Sequence, residues 1–229
     1  MTTTYELHKI DQAVTIATTL TRSWFRGQSR PYCQLTPGIF RPKYESEPYH
    51  SFRSKAEFSI IESFKRQAPA FESATPDKDD HVAWLFLMQH FGTPTRLLDW
   101  SKNALCALYF AVSNDFEEDG ELWAIYPDAL NARNGVAGIP LPRSRILQYL
   151  AAEPAQHEPE RFADTMGLKE IPKYPLAVDP PLNFSRMVAQ QSAFTIHPRA
   201  RDGTTIPEVL TDPKDLIRYV EPKSQKKLF

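Results

Sequence analysis

The spacing of hydrophobic positions changes several times along the chain, and each change marks an element. Residues 7–20 are mixed in a way that suits a first amphipathic helix. Ser23-Trp24-Phe25-Arg26 reads as a short strand, stopped by Gly27 and the turn-prone Ser29-Arg30-Pro31. Pro37-Gly38 and Pro42 mark a loop. Between Phe52 and Ala68, Ala56, Ile60, Phe64 and Ala68 recur at four-residue spacing with Ile61 beside them, one face of a helix. Glu57, Glu62, Lys65 and Arg66 fall on its solvated side. A polar stretch over 73–80 puts Asp79 or Asp80 at the N-cap of a helix running from His81 to about Phe91. Val82, Leu85, Phe86 and Gln89 form its stripe; Gly92 ends it and Pro94 prevents its continuation.

Residues 95–100 read as extended. Residues 103–113 form a nearly all-apolar helix, and a helix apolar all round belongs in a core. Glu121-Leu122-Trp123-Ala124-Ile125-Tyr126 is a buried strand closed by Pro127. Residues 128–182 are punctuated by proline, as in Gly138-Ile139-Pro140-Leu141-Pro142 and Asp179-Pro180-Pro181, with one helix expected over 145–152. Residues 185–191 lead into a strand over 193–197 that Pro198 ends, and two more short strands are expected over 205–210 and 216–220. With no internal repeat and no linker, residues 1–229 read as one domain. The order of elements points to the α+β class.

Composition narrows the picture. Of 229 residues, 41% are hydrophobic and 24% charged, the balance of an ordinary globular protein. A net charge of −1 gives no global field that would favour nucleic acid or an anionic membrane. No apolar run approaches a membrane span, and the first 20 residues lack a signal-peptide core. Cys33 and Cys106 make neither a disulfide framework nor a zinc pattern, so a cytoplasmic location is expected and no metal site. Cys106 reads as a small buried hydrophobe. Proline is frequent at 20 and glycine scarce at 8, which suggests stiff loops. Neither GxGxxG nor GxxxxGK[ST] occurs, so a dinucleotide site here must be built without a glycine-rich phosphate loop.

Three polar clusters stand beside strongly apolar sequence. The first is Arg26-Gly27-Gln28. An arginine at a strand end can fork onto phosphate or ribose oxygens, and Gly27 would let a ligand approach the backbone. Equally, Arg26 can be a structural arginine paired with a carboxylate. The second cluster runs from Gln89 to Ser101 and joins a helix end, a tight turn, a polar strand and the mouth of the apolar helix. Within it Arg96 and Asp99 can pair with each other, His90 can be structural, and Ser101 or Asn103 can simply cap the next helix. Polar density between two buried helices is what suggests a site. The third cluster is Arg186 with Gln190-Gln191 ahead of Phe194-Thr195-Ile196, where a polar side chain can face a cleft or stand exposed at a helix end.

These residues resemble the FRG domain family. Its signature stands here as Phe25-Arg26-Gly27, and the likeness extends through Gln89-His90-Phe91-Gly92-Thr93-Pro94-Thr95-Arg96-Leu97-Leu98-Asp99-Trp100-Ser101. It continues in Asn103 and Ala107-Leu108-Tyr109-Phe110-Ala111, then in Arg186, Gln190 and Phe194-Thr195. Ser192 stands where the family usually has glycine, and the segment around Lys226 ends earlier than the family pattern. More distantly, Arg-Gly at a strand end, a second strand ending in Ser101, the following Ala107-Leu108-Tyr109-Phe110-Ala111 and the later Gln190-Gln191 are similar to mono-ADP-ribosyltransferases.

That resemblance implies a split β-sheet core with flanking helices, NAD as substrate, and ADP-ribose transfer to a protein or nucleic-acid acceptor. It implies further a role as a toxin or anti-phage defence effector, with a cognate antitoxin or other partner and no membrane. Arg26 would grip the pyrophosphate or adenosine ribose. Thr95 or Ser101 would support the nicotinamide ribose, and Trp100 or Tyr109 would stack on the nicotinamide. Gly27, Gln28, His90 and Arg96 would complete the binding walls. Gln190, Gln191 or Asp99 would stabilise the positive charge that develops on the ribose. A glutamine in place of a catalytic glutamate cannot act as a base, so Asp99 or His90 would take that part, or the acceptor needs no deprotonation. The alternatives are a non-catalytic module that binds a nucleotide or a partner, and a hydrolase using Asp99 and His90, which lacks an accompanying nucleophile or metal-ligand spacing.

Overall fold

The computed structural model describes residues 2–31, 35–41, 53–152, 163–165, 167–168, 170–181, 184–198 and 205–228. Cys33, Pro42, Phe52 and the side chain of Ala56 lie outside the described residues. Seven strands among them form one mixed sheet: β1 (Thr3–Glu6), β2 (Trp24–Gln28), β3 (Leu97–Ser101), β4 (Gly120–Ile125), β5 (Leu176–Val178), β6 (Ser192–Ile196) and β7 (Leu216–Glu221). Their order is β1-β7-β4-β2-β3-β6-β5. Only the β1–β7 pair is parallel. The helices are α1 (Ile10–Thr19), α2 (Arg53–Gln67), α3 (His81–His90), α4 (Ala104–Val112), α5 (Pro127–Ala132), α6 (Arg145–Ala151), α7 (Ser185–Ala189) and α8 (Ile206–Val209). This is an α+β arrangement on a single sheet. No described helix is long and apolar enough to cross a membrane.

Side chains alternate across the sheet, and each face has its own core. Trp24, Leu98, Trp100, Trp123, Ile125, Ala193 and Leu216 build one core on one face, spanning both halves of the sheet. The other face carries two separate cores. Phe25, Leu122 and Ala124 pack beneath α1 and α4. Leu97, Phe194, Ile196 and Leu176 pack with α2, α3 and α6. The boundary between these two helix layers falls over the seam between β2 and β3. There the strands are barely joined: Phe25 opposite Ser101 is the one paired position, whereas β2 pairs with β4 over its full length.

Several elements differ from the expectations. Gly27 does not stop its strand; β2 runs on to Gln28. A Cβ at Gly27 would stand 1.7 Å from the Ala107 carbonyl oxygen and 2.7 Å from the Ala111 nitrogen, so the missing side chain lets α4 seat directly on β2. Helix α4 is not enclosed all round, because Leu105, Tyr109 and Phe110 are exposed. Pro127 opens α5 instead of merely closing β4, as suits proline in a first helical turn. Residues 206–209 are a helix rather than a strand, with the Thr205 N–H donating to the Glu208 carboxylate and Pro207 in the first turn. The polar Thr3–Glu6 forms an edge strand, held by backbone pairing to β7 and by stacking of Tyr5 on Tyr219.

Candidate functional site

A cavity of about 420 Å³ opens over the seam. β2 contributes Arg26 and Gln28 to its walls, β3 Asp99 and Ser101, and the end of α3 Gln89 and His90. The side around α7 adds Arg186 and Gln190, and the end of α4 adds Phe110 and Asn114. The cavity exists because two helix layers and two strands part at the same place.

Polar groups bridge the seam where backbone pairing fails. Arg26 Nη1 donates to the Asp99 carbonyl at 2.8 Å and lies 3.8 Å from the Asp99 carboxylate. From the other side, Gln89 Nε2 donates to the Asp99 carboxylate at 2.8 Å. Gln89 is itself held by the Thr95 hydroxyl, which donates to its Oε1. Asp80 caps α3 by accepting from the Ala83 N–H, which fixes where that helix begins; Gln89 and His90 stand at its other end. Ser101 Oγ lies 2.7 Å from the Gln190 carbonyl and accepts the Asn103 N–H, tying β3 to the end of α7.

Beneath Arg26 a polar row continues across the sheet. Arg26 Nε contacts Gln28 Oε1 at 3.4 Å, and Gln28 Nε2 donates to Glu121 at 3.0 Å. The buried Glu121 carboxylate also accepts from Trp123 Nε1 at 2.9 Å and from the Arg218 guanidinium. Three donors compensate the cost of burying this charge. The guanidinium of Arg26 therefore sits at the end of a braced row, with little freedom to swing out.

Of the residues proposed from sequence, Arg26, Gly27, Gln28, His90, Asp99, Trp100, Ser101 and Gln190 line this cavity. Four others do not. Arg96 is buried at 1% exposure, forms an ion pair with Glu57 at 3.2 Å and donates to the carbonyls of His197 and Leu150. It joins β3 to α2 and α6, and it does not pair with Asp99. Glu57, placed by periodicity on a solvated helix face, is buried for the same reason. Thr95 is also buried, and it acts on the site only by holding Gln89. Tyr109 is 63% exposed on the outer side of α4. Gln191 sits at φ 46, one residue before Ser192, and its carbonyl accepts the Lys102 N–H, so its backbone makes the corner into β6.

Two further corrections concern the planar groups. The Trp100 ring belongs to the core on the opposite face, where Nε1 donates to Thr195 Oγ1 at 3.2 Å, so it is not free to stack on a ligand. The flat surface near the cavity is instead His90, whose ring stacks on Phe184 at 3.8 Å and 7°. Phe184 carried no signal in the sequence, because it falls between the proline-punctuated residues 128–182 and the segment that starts at 185. Asn103, left open with Ser101 as a cap, is the N-cap of α4, accepting from the N–H groups of Leu105 and Cys106. Among the described residues no group of three or more His, Cys, Asp or Glu side chains is arranged to hold a metal ion.

The arrangement presents two guanidinium groups, one carboxylate, several amide and hydroxyl groups and a stacked imidazole around one opening. That set suits a small polar ligand carrying negative charge and hydroxyls. The family model of the FRG domain matches residues 21–120, so that stretch of the chain is similar to an FRG domain. The matched stretch contains β2, α3, β3 and α4, whereas α7 and β6 lie beyond it. No curated protein and no solved structure matches the chain.

Proposed function

We propose that the seam cavity binds NAD and that the protein transfers ADP-ribose from it to an acceptor. The observation that carries this reading is Arg26, braced by Gln28 and bound to Asp99 across two strands that otherwise part. A guanidinium so held is preorganised for a pyrophosphate, since little side-chain freedom is lost on binding. The residues present fit the molecule: Arg26 and Arg186 offer charge to phosphates, His90 on Phe184 offers a flat surface, and Gln28, Ser101 and Gln190 offer hydrogen bonds to hydroxyls.

Bound NAD supplies an ADP-ribosyl group by releasing nicotinamide. Asp99 is the one carboxylate among the described lining residues, and it stands where Gln89 and Arg26 fix its orientation. We assign it the stabilisation of positive charge developing on the ribose. Gln190 cannot take a proton; its Oε1 accepts from Arg186 Nε at 3.3 Å, so its part is to position Arg186.

Incubating the protein with labelled NAD and cell lysate tests the reading. Label transfer or nicotinamide release by the wild type, absent in D99N and R26A, is the expected result. Growth arrest on expression of the wild type but not of R26A is the matching result for a toxin. A second reading, a nucleotide-binding module without turnover, is favoured by the engagement of Asp99 with two partners. Saturable NAD binding with no nicotinamide release would select it.

A further inference from the structure

The segment after β7 sends one charged side chain into the interior. Lys226 is 2% exposed, and its Nζ donates to the carbonyl oxygens of Ser29, Asn114 (3.1 Å) and Asp115 (3.0 Å). An ammonium has three N–H donors, and here all three are used. These carbonyls replace hydration that the buried ammonium gives up.

The three carbonyls come from two separate places. Ser29 follows β2, while Asn114 and Asp115 follow α4, and both Ser29 and Asn114 line the seam cavity. The Ser29 hydroxyl also donates to the Asp115 carboxylate, a second tie between the same two segments. Room for the lysine stem is made at Gly120. A Cβ there would stand 2.5 Å from the Ala111 carbonyl oxygen and 3.2 Å from Lys226 Cε. Asp115, Glu118, Asp119 and Glu221 surround the ammonium with negative or ionisable groups. The cradle is thus built for a small monovalent cation, and a side chain of the same protein fills it.

We propose that Lys226 is a positioning residue, its ammonium occupying a monovalent-cation site formed by the carbonyls of Ser29, Asn114 and Asp115 and thereby fixing the ends of β2 and α4 at the cavity rim. The inference goes beyond the reading of the cavity as an NAD site and does not depend on which ligand the cavity holds. It assigns the segment after β7, which lies outside the stretch matched by the family model, a part in shaping the site.

The test is chemical rescue read by amide hydrogen exchange on the full chain without ligand. In K226A, exchange is expected to rise at least tenfold in peptides spanning residues 26–30 and 112–116. Methylammonium chloride is expected to return at least half of that rise. Tetramethylammonium chloride at equal ionic strength, too large for the cradle and without N–H donors, is expected to leave it unchanged. K226M keeps the stem and loses the charge, so it is expected to show the same rise with no rescue, and it serves alone if K226A does not fold. Exchange that rises only after residue 221, or equal effects of the two cations on K226A, would overturn the proposal.

Discussion

Arg26 donates to the backbone carbonyl of Asp99 at 2.8 Å across strands that are hydrogen-bonded neighbours at one position only. A side chain here does what a ladder would otherwise do. β2 and β3 part because they belong to different packing units on one face: β2 lies under α4, and β3 lies against α3. Their separation makes the cavity, and Arg26 holds it at a fixed width. Substitutions can therefore be sorted by whether they act on the packing units, on the bridge or on the buried charges nearby.

Gly27→Ala tests the packing of α4 on β2. The added methyl would meet the Ala107 carbonyl at 1.7 Å, backbone against backbone, with no flexible side chain to move aside. Overpacking of this kind costs about 3 kcal/mol. A fall in the denaturant midpoint without a change in slope is the expected outcome, and unchanged stability would show that the close approach is not needed.

Arg96→Met separates the structural arginine from the site arginine. Removing one partner of a buried ion pair costs about 3–5 kcal/mol, because the other charge stays in a medium that disfavours it. Arg96 and Glu57 are both almost fully buried. Replacing both with apolar residues is expected to recover much of the loss. Arg96 does not line the cavity, so ligand affinity per folded molecule should be unchanged when measured well below the melting temperature.

Glu221 gives the fold a pH dependence. It is fully buried at the end of β7, and burial pushes its carboxyl from 4.5 up to about 8, with Lys226 acting in the opposite direction. The folded protein keeps a proton that the unfolded chain releases once the pH exceeds about 4.5. Stability from this group therefore declines as the pH rises from 4.5 to 8 and is flat above that window. In E221Q this decline is expected to vanish, so the variant should gain melting temperature over the wild type as the pH is raised from 5 to 8. Parallel melting curves for the two proteins over that range would contradict the assignment.

Much of this architecture could be read from residue order alone, and the reasons for the exceptions are physical. Periodicity located α2, α3, α4, β2 and β4 because each buries one continuous stripe or run. It missed β1, whose Thr3–Glu6 has no apolar alternation and exists through backbone pairing at an edge. It misplaced Glu57, because local spacing cannot reveal that Arg96, distant in sequence, arrives to neutralise it. It treated α4 as enclosed, although the outer side of the helix, with Leu105 and Tyr109, stands in solvent. At the site, Arg26, His90, Asp99 and Ser101 were visible as polar residues beside apolar runs. Ser29, Asn114 and Phe184 were not, since nothing local marks a loop residue that tertiary packing brings to a cavity wall.

The most direct test of the account is a calorimetric titration of NAD into the wild type and into R26A. Arg26 is expected to contribute charge-assisted hydrogen bonds to the pyrophosphate, worth about 1.5–3 kcal/mol, which corresponds to a loss of roughly ten- to hundredfold in affinity when it is removed. Saturable binding by the wild type, weakened to that extent in R26A while its melting curve stays cooperative, is the predicted result. No binding by the wild type, or equal affinity in the two proteins, would contradict the claim that the β2–β3 seam is an NAD site.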